Sequence, residues 1–264
     1  CKTVADLLKI DAETFTNKVA EMFGIFNTLQ VRTIPERDGR ILPLNPWEAY
    51  ASGAAKDIAF LHGCNKDEMN TFSTLFGAEF WKAWIYSREN QRYAQLSDKE
   101  KSLLESYYNS LQGGDLERAT DIFSQSWFIA SQIRLSEEIA KAGGKSYTYY
   151  FRAESSVAGI KSGHAIEVAI IFASREDTSL SGRLFDETFC KTMRKMWVQF
   201  AKTGNPSLSA DISPDGKAHD WPLYDTENKQ VMVFDEFDIH VDKESALKIV
   251  DWDKTYFLSN YSFL

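Results

Sequence analysis

The sequence predicts an α/β fold, in which short strands are joined by long helical stretches. The apolar run at 57–62 is short and ends at Gly63, which is typical of a strand buried in a parallel sheet. Aromatic and β-branched residues favour a second strand at 146–151. Helical patterning covers roughly 67–141 between the two, including an amphipathic segment at 98–111. Strands that alternate with helices in this way predict an α/β sheet.

Apolar spacing and chain-breaking residues predict the helices that flank this region. Residues at 4–25 have helical spacing that 11–14 divide into two short pieces, whereas several prolines and a glycine make 30–49 irregular. Apolar residues recur at i, i+4, i+8 and i+11 from Phe185, so a helix is predicted over 184–202. Gly204 then ends that helix, since glycine is common directly after a helix.

The C-terminal part of the chain predicts a β-ribbon followed by a helix. Segments 231–234 and 239–241 form the predicted ribbon, and the last helix is expected near 242–256. No change of composition marks a linker anywhere in residues 1–264, so a single domain, or part of one, is expected.

Composition excludes several classes of function. Hydrophobic residues make up 44% of the 264 residues, and the net charge is −8. A packed core is therefore expected, and a nucleic-acid partner is not, because a phosphate backbone attracts a basic surface. The longest apolar runs are too short to cross a bilayer, so no membrane partner is expected.

The three cysteines carry information about compartment. Cys1, Cys64 and Cys190 have no metal-binding or disulfide-framework spacing. Cys64 and Cys190 stand among apolar residues and are expected to be buried thiols. Free thiols favour a reducing compartment, so a cytoplasmic protein is expected, with secretion as the alternative.

Glu68 and His164 are the candidates for acid–base chemistry. Glu68 lies just past the first predicted strand, and His164 lies in a glycine-containing loop after the second. Catalytic groups of open α/β sheets collect at the carboxyl ends of the strands. Imidazole titrates near neutral pH and can carry a proton, while a buried carboxylate can fix its tautomer. The order of acid before histidine matches the second half of a Ser…Asp/Glu…His triad.

Other residues compete with these two or are rejected. Asp67 competes with Glu68 for the acid role, since only one position separates them. A solvated loop carboxylate and a structural loop histidine would also fit the pattern. No Gly-x-Ser-x-Gly motif occurs in the sequence, and Ser162 lacks the strand–turn–helix context of a nucleophile. His219, in a polar loop, is expected at the surface.

Five stretches resemble motifs of the carboxylesterase type B family, which includes cholinesterases and bacterial para-nitrobenzyl esterases. They occur in the family's order, and this agreement makes the resemblance specific. The stretches are Pro-x-x-Asp-Gly-x-x-x-Pro at 35–43, Gly-x-x-x-Asp-Glu at 63–68, His-x-x-Glu with a later Phe at 164–172, Trp-x-x-Phe-Ala-x-x-Gly-x-Pro at 197–206, and Trp-Pro-x-Tyr at 221–224.

The resemblance implies the α/β-hydrolase fold. Residues 1–264 would form its C-terminal portion, namely the last strands of the sheet, a helical cap and the C-terminal helices. It also implies a carboxylic ester hydrolase with a Ser-His-Glu triad, in which Glu68 is the acid and His164 the base. The serine would lie in an N-terminal half of the same protein, which is the expected partner and is required for activity. A small ester is the implied substrate, and no cofactor or metal is implied.

The chain departs from the family pattern at Met69, Ala169 and Ala173, which stand in place of Gly, Pro and Gly. These changes affect the shape of the pocket rather than the triad. Phe72 either lines the substrate pocket, as in some relatives, or packs in the core. The resemblance makes Glu167 a structural or supporting carboxylate. The alternative function is a non-catalytic cholinesterase-like interaction module, because such relatives keep the fold and lose triad members.

Overall fold

The structure, a computed structural model, describes residues 2–23, 37–84, 97–174 and 178–243. It divides into two compact units, 1–46 and 47–264. The first unit contains helices α1 (Val4–Leu7) and α2 (Ala12–Phe23), so the helical stretch predicted at 4–25 is two helices. In its irregular part, Asp38 Oδ1 accepts the main-chain N–H groups of residues 40, 41 and 42 and closes a turn.

The second unit alternates helices with four strands. Helix α3 (Pro46–Ala51) begins at the last residue of the first unit. The elements that follow are β1 (Ala59–Asn65), α4 (Asn70–Trp84), α5 (Asp98–Ser110), α6 (Asp115–Phe123), α7 (Ala130–Lys141), β2 (Lys145–Phe151), α8 (Ile166–Ile171), α9 (Glu187–Thr203), β3 (Gln230–Asp235) and β4 (Asp238–Lys243). A π-helical segment, Ser124–Ile129, joins α6 to α7. Helix α4 is broken at Gly77, which adopts φ 71°.

The four strands form one sheet in the order β1-β2-β3-β4. β1 is parallel to β2, β2 is parallel to β3, and β4 turns back antiparallel to β3. Asn65, the last residue of β1, lies opposite Phe151, the last residue of β2. The two connections that follow these strands therefore start side by side. We call residues 66–69 the acid loop and residues 152–165 the histidine loop.

Helices cover both faces of the sheet, so the strands are buried from two sides. One core cluster places Tyr147 and Phe151 of β2 against Phe189 and Met193 of α9. On the opposite face, Tyr150 packs with buried residues of the π-helical segment and α7. Alternate residues of β2 thus serve different clusters, as the two-residue period of a strand requires.

The predicted strands and the long helix are present with displaced ends. The strand expected at 146–151 is Lys145–Phe151, and the helix expected at 184–202 is Glu187–Thr203. The predicted ribbon is the β3–β4 pair. The strand expected at 57–62 is Ala59–Asn65, so the prediction that it ends at Gly63 is wrong. Gly63 is an interior residue of the strand, where an added Cβ would overlap the Tyr149 carbonyl oxygen.

Three further predictions are corrected or fall outside the described residues. The last helix was predicted near 242–256, but residues 242 and 243 belong to β4 and the rest are not described. Cys64 is buried as predicted, whereas Cys190 is only partly buried. His219 is buried rather than at the surface, because its Nε2 is 2.8 Å from the Asp215 carboxylate within the same loop.

No helix among the described residues has the length and the apolar character that crossing a bilayer requires.

Candidate active site

The acid loop and the histidine loop are held together by main-chain hydrogen bonds. The N–H of Lys66 donates to the Phe151 carbonyl oxygen at 2.9 Å, which continues the pairing of β1 with β2 beyond their ends. The N–H of Asp67 donates to the Ser162 carbonyl oxygen at 3.0 Å. These contacts bring the residues after β1 next to the residues before α8, although nearly a hundred positions separate them.

Glu68 and His164 are in direct contact. His164 Nδ1 lies 2.7 Å from Glu68 Oε2, and the other carboxylate oxygen accepts the Asn65 N–H at 2.7 Å. Glu68 is buried, whereas 42% of the His164 side chain is exposed. An ionised carboxylate only accepts hydrogen bonds, so the neutral imidazole carries its hydrogen on Nδ1. Nε2 is then an acceptor, and no described residue hydrogen-bonds to it.

The backbone around His164 is confined to one arrangement. Thr71 Oγ1 donates to the His164 carbonyl oxygen at 3.2 Å. A Cβ at Gly163 would overlap that same hydroxyl, so only glycine permits the approach of α4 to the histidine loop. Ala165 adopts a left-handed φ of 67° directly before α8. A non-glycine residue in this region is strained and is held there by its surroundings.

Aromatic rings flank the imidazole. The ring centroid of Phe72 is 5.2 Å from that of His164, and the centroid of Phe128 is 5.4 Å away. Phe72 also packs with Met69, Ala119 and Phe123. Phe72 therefore packs against a core cluster, as one of its two predicted placements requires, and it also lies beside the His164 ring.

Two carboxylates act on the protonation of His164. The hydrogen bond that His164 donates to Glu68 is the main cause of a raised His164 pKa, and the charges of Glu68 and Glu167 add to it, while burial opposes them. Burial raises the pKa of Glu167, and the charge of Glu68 raises it further. The buried Cys64 thiol also has a raised pKa, because of its burial and these two carboxylates.

The other candidates for a catalytic or metal-binding role do not contact the His164 imidazole in the way that Glu68 does. Asp67 Oδ2 faces the Ser162 N–H at 3.4 Å, so this carboxylate is directed at the histidine loop backbone. Ser162 is fully buried, and its hydroxyl donates to the Ala153 carbonyl oxygen at 3.0 Å. Glu167 accepts a hydrogen bond from the Asn65 side chain. In the described residues, no three His, Cys, Asp or Glu side chains are grouped to hold a metal ion.

Asn65 and Thr71 are contacts of the site that the sequence analysis did not single out. Asn65 is fully buried and joins β1 to both Gly163 and Glu167. Asparagine is typical of turns, so the residue type gave no indication of this role at the end of a strand. The only available signal was its place three residues before Glu68.

Comparison with known proteins gives the family context. The sequence model of the Carboxylesterase family matches residues 2–248. Para-nitrobenzyl esterase of Bacillus subtilis (strain 168) is 27% identical over 261 residues, which cover 91% of this chain and 46% of that protein. Bile salt-activated lipase of Homo sapiens is 24% identical over 223 residues, covering 74% of this chain and 28% of the lipase. The chain thus spans less than half the length of either relative.

Solved structures agree with the sequence relatives. The carboxylesterase EST55 of Geobacillus stearothermophilus superimposes with a TM-score of 0.69 at 25% identity, covering 91% of this chain and 50% of that one. A structure titled PNB esterase gives a TM-score of 0.65 at 24% identity, with 89% and 47% covered. The predicted α/β-hydrolase fold and the predicted family are thereby confirmed. The chain belongs to the carboxylesterase family.

Proposed function

We propose that this chain supplies the base and the acid of a carboxylic ester hydrolase with a Ser-His-Glu triad. His164 is the base and Glu68 is the acid. The observation that carries the proposal is the 2.7 Å contact between His164 Nδ1 and Glu68, which leaves Nε2 without a described partner on a partly exposed ring. This is the tautomer and orientation that a base needs to accept a proton from a serine hydroxyl.

The reaction proceeds in two steps. His164 Nε2 takes the proton of the serine hydroxyl as its oxygen attacks the ester carbonyl carbon, and the imidazolium then returns that proton to the departing alcohol. A water molecule, deprotonated by Nε2, attacks the acyl-enzyme and releases the acid and the serine. Glu68 stays ionised throughout, holds the Nδ1 hydrogen and stabilises the imidazolium.

The nucleophile comes from a partner, the N-terminal half of the same protein. This sequence has no Gly-x-Ser-x-Gly motif, and the relatives are about twice as long where they match best. Among the described strands β1 pairs only with β2, so no described strand lies along its other edge. A parallel sheet is normally covered and continued on such an edge. A monodisperse, well-folded 30.1 kDa species without any partner would contradict this part of the proposal.

The substrate is an uncharged ester of modest size. The ring centroids of Phe72 and Phe128 lie 5.2 Å and 5.4 Å from that of His164, so apolar surface borders the imidazole. An apolar surface favours uncharged groups, because a charge that leaves water there finds no compensating partner.

The deciding experiment compares His164→Ala with His240→Gln in the protein assembled with its N-terminal partner. Hydrolysis of p-nitrophenyl acetate should fall roughly 10⁴-fold or more in His164→Ala. His240→Gln, on the strand β4, should keep the wild-type rate. Labelling of the partner polypeptide by a fluorophosphonate probe should also weaken in His164→Ala. Wild-type turnover in His164→Ala removes this residue from the mechanism, and a protein without a labelled serine favours the non-catalytic interaction module.

A further inference from the structure

Asn65 makes three hydrogen bonds around His164. Its main-chain N–H donates to Glu68 Oε1 at 2.7 Å. Its side-chain amide donates to the Gly163 carbonyl oxygen at 2.7 Å and to Glu167 Oε2. The residue is fully buried at the end of β1. One side chain therefore connects the strand that precedes Glu68 to the backbone directly before His164.

These contacts require an amide. Both acceptors face the Nδ2 group, which has two hydrogens and uses both. The other side-chain atom, Oδ1, is buried and has no hydrogen-bond partner in the described part of the chain. Rotating the amide would place Oδ1 against a carbonyl oxygen and a carboxylate, which repel it. Among the described residues this buried oxygen is therefore left unsatisfied while both donors are in place, an arrangement that costs free energy.

We propose that Asn65 is a positioning residue for His164, which fixes the histidine loop to the end of β1 and holds Glu167 beside the imidazole. This inference rests on the proposed function in treating His164 as the base, but its geometric content is independent of catalysis. The N–H of Asn65 also orients Glu68, and that contact survives a change of side chain.

Loss of the Asn65 amide has a defined effect on charge. The amide is the main group that opposes the rise of the Glu167 pKa. Without it, Glu167 takes up a proton more readily, because burial and the charge of Glu68 already favour its neutral form. His164 then loses one of the two anions beside it. The other ionisable groups packed around Glu167 are Cys64 and Tyr149, whose pKa values are raised by burial and which remain neutral.

The experiment follows the His164 ring by NMR in the folded protein, with ¹⁵N-labelled histidine in this chain only. A hydrogen-bonded Nδ1–H gives a distinct downfield signal. In Asn65→Ala this signal should disappear or broaden, and the His164 pKa should fall below that of the wild type. Asn70→Ala is the matched control, because Asn70 also donates its amide to a carbonyl oxygen of the histidine loop, that of Gly159 at 2.9 Å. This control should keep the wild-type signal and titration.

Two further variants complete the test. Glu167→Gln keeps an acceptor for the amide and should retain the Nδ1–H signal while the His164 pKa falls. Asn65→Ser leaves a smaller void and replaces Asn65→Ala if the latter does not fold. A folded Asn65 variant that melts at a lower temperature but shows the wild-type signal and titration overturns the proposal. If the wild-type protein hydrolyses no ester while these shifts occur, the proposed function fails and the positioning role stands.

Discussion

The main-chain N–H of His164 donates a 3.0 Å hydrogen bond to the carbonyl oxygen of Glu68, in addition to the contact between their side chains. The two residues are therefore joined through backbone groups that no side-chain substitution removes. Variants of either side chain should keep the loops in place, so their effects on the rate report on chemistry.

The first prediction concerns the identity of the acid. Glu68→Gln should lower kcat by roughly 10⁴-fold, because an amide can donate to Nδ1 and thereby move the imidazole hydrogen to Nε2. The measurement is p-nitrophenyl ester hydrolysis by the assembled protein at a pH above the His164 titration. Retention of kcat would exclude Glu68 as the acid.

Asp67→Asn serves as the control for this measurement. The Asp67 carboxylate faces the Ser162 N–H rather than the imidazole, so the variant should keep most of its rate. It loses at most about 1 kcal/mol of stability, the usual worth of one hydrogen bond. Equal losses of rate in both variants would assign the acid role to neither residue.

The second prediction concerns pH. His164 acts as a base only when its ring is neutral, and the hydrogen bond that it donates to Glu68 raises its pKa. The acid limb of the kcat/KM profile should therefore lie above the ordinary histidine value of about 6.5. In Glu167→Gln this limb should move to lower pH, because a neighbouring anion is lost. An unmoved limb would show that Glu167 carries no charge at the working pH.

The third prediction concerns acid stability. Burial lowers the pKa of His62 to about 4. The neutral ring is held by two hydrogen bonds: Nδ1 lies 2.6 Å from Gln132 Oε1, and Nε2 lies 2.8 Å from Ser146 Oγ. The unfolded chain takes up a proton below about 6.5, whereas the folded one does not until about pH 4. Stability should therefore fall as the pH decreases through this window, by up to about 3 kcal/mol.

Urea unfolding of the assembled protein at pH 7 and pH 4.5 checks the size of this effect. The variant His62→Gln keeps a donor for Gln132 and an acceptor for Ser146 but cannot take up a proton. It should lose correspondingly less stability than the wild type over the same interval. Parallel losses would attribute the acid sensitivity to other groups.

The fourth prediction tests the packing of β1 on β2. Gly63→Ala should destabilise the protein by about 3 kcal/mol, because the new methyl group meets the backbone and ring of Tyr149 in the neighbouring strand. Gly114→Ala should cost under about 1 kcal/mol, since the nearest atom there is the flexible end of Glu117. Thermal unfolding of both variants measures this difference in stability. Similar melting temperatures would contradict the close approach of Gly63 to Tyr149.

Sequence patterns predicted the elements that depend on local composition. The strand ending at Phe151 and the helix that starts at Glu187 have periodic apolar residues, so their existence could be predicted with only their ends misplaced. The positions of Glu68 and His164 after strands were also visible. The register that sets Asn65 opposite Phe151 could not be predicted, because strand pairing depends on contacts between residues distant in the sequence. The catalytic roles of Glu68 and His164 stay predictions.

The errors share a physical cause. Gly63 and His219 were interpreted from residue type, which associates such residues with turns and surfaces, and Asn65 was not singled out. Each is instead placed by a residue close to it in space. Gly63 lies against Tyr149 and Asn65 against Gly163, both distant in the sequence, whereas His219 is enclosed with Asp215 in its own loop. A single sequence gives propensities, and these do not show such contacts.

The separation of Glu68 from His164 by 96 positions also governs when their contact forms. Closing a loop of that length costs about 4 kcal/mol of chain entropy, which only the pairing of β2 on β1 and the packing of α7 can offset. At the usual rate of translation, roughly 5–20 s pass between the synthesis of the two residues. The two side chains cannot meet before His164 has been synthesised, and a contact of such long sequence separation is of the kind that slows folding.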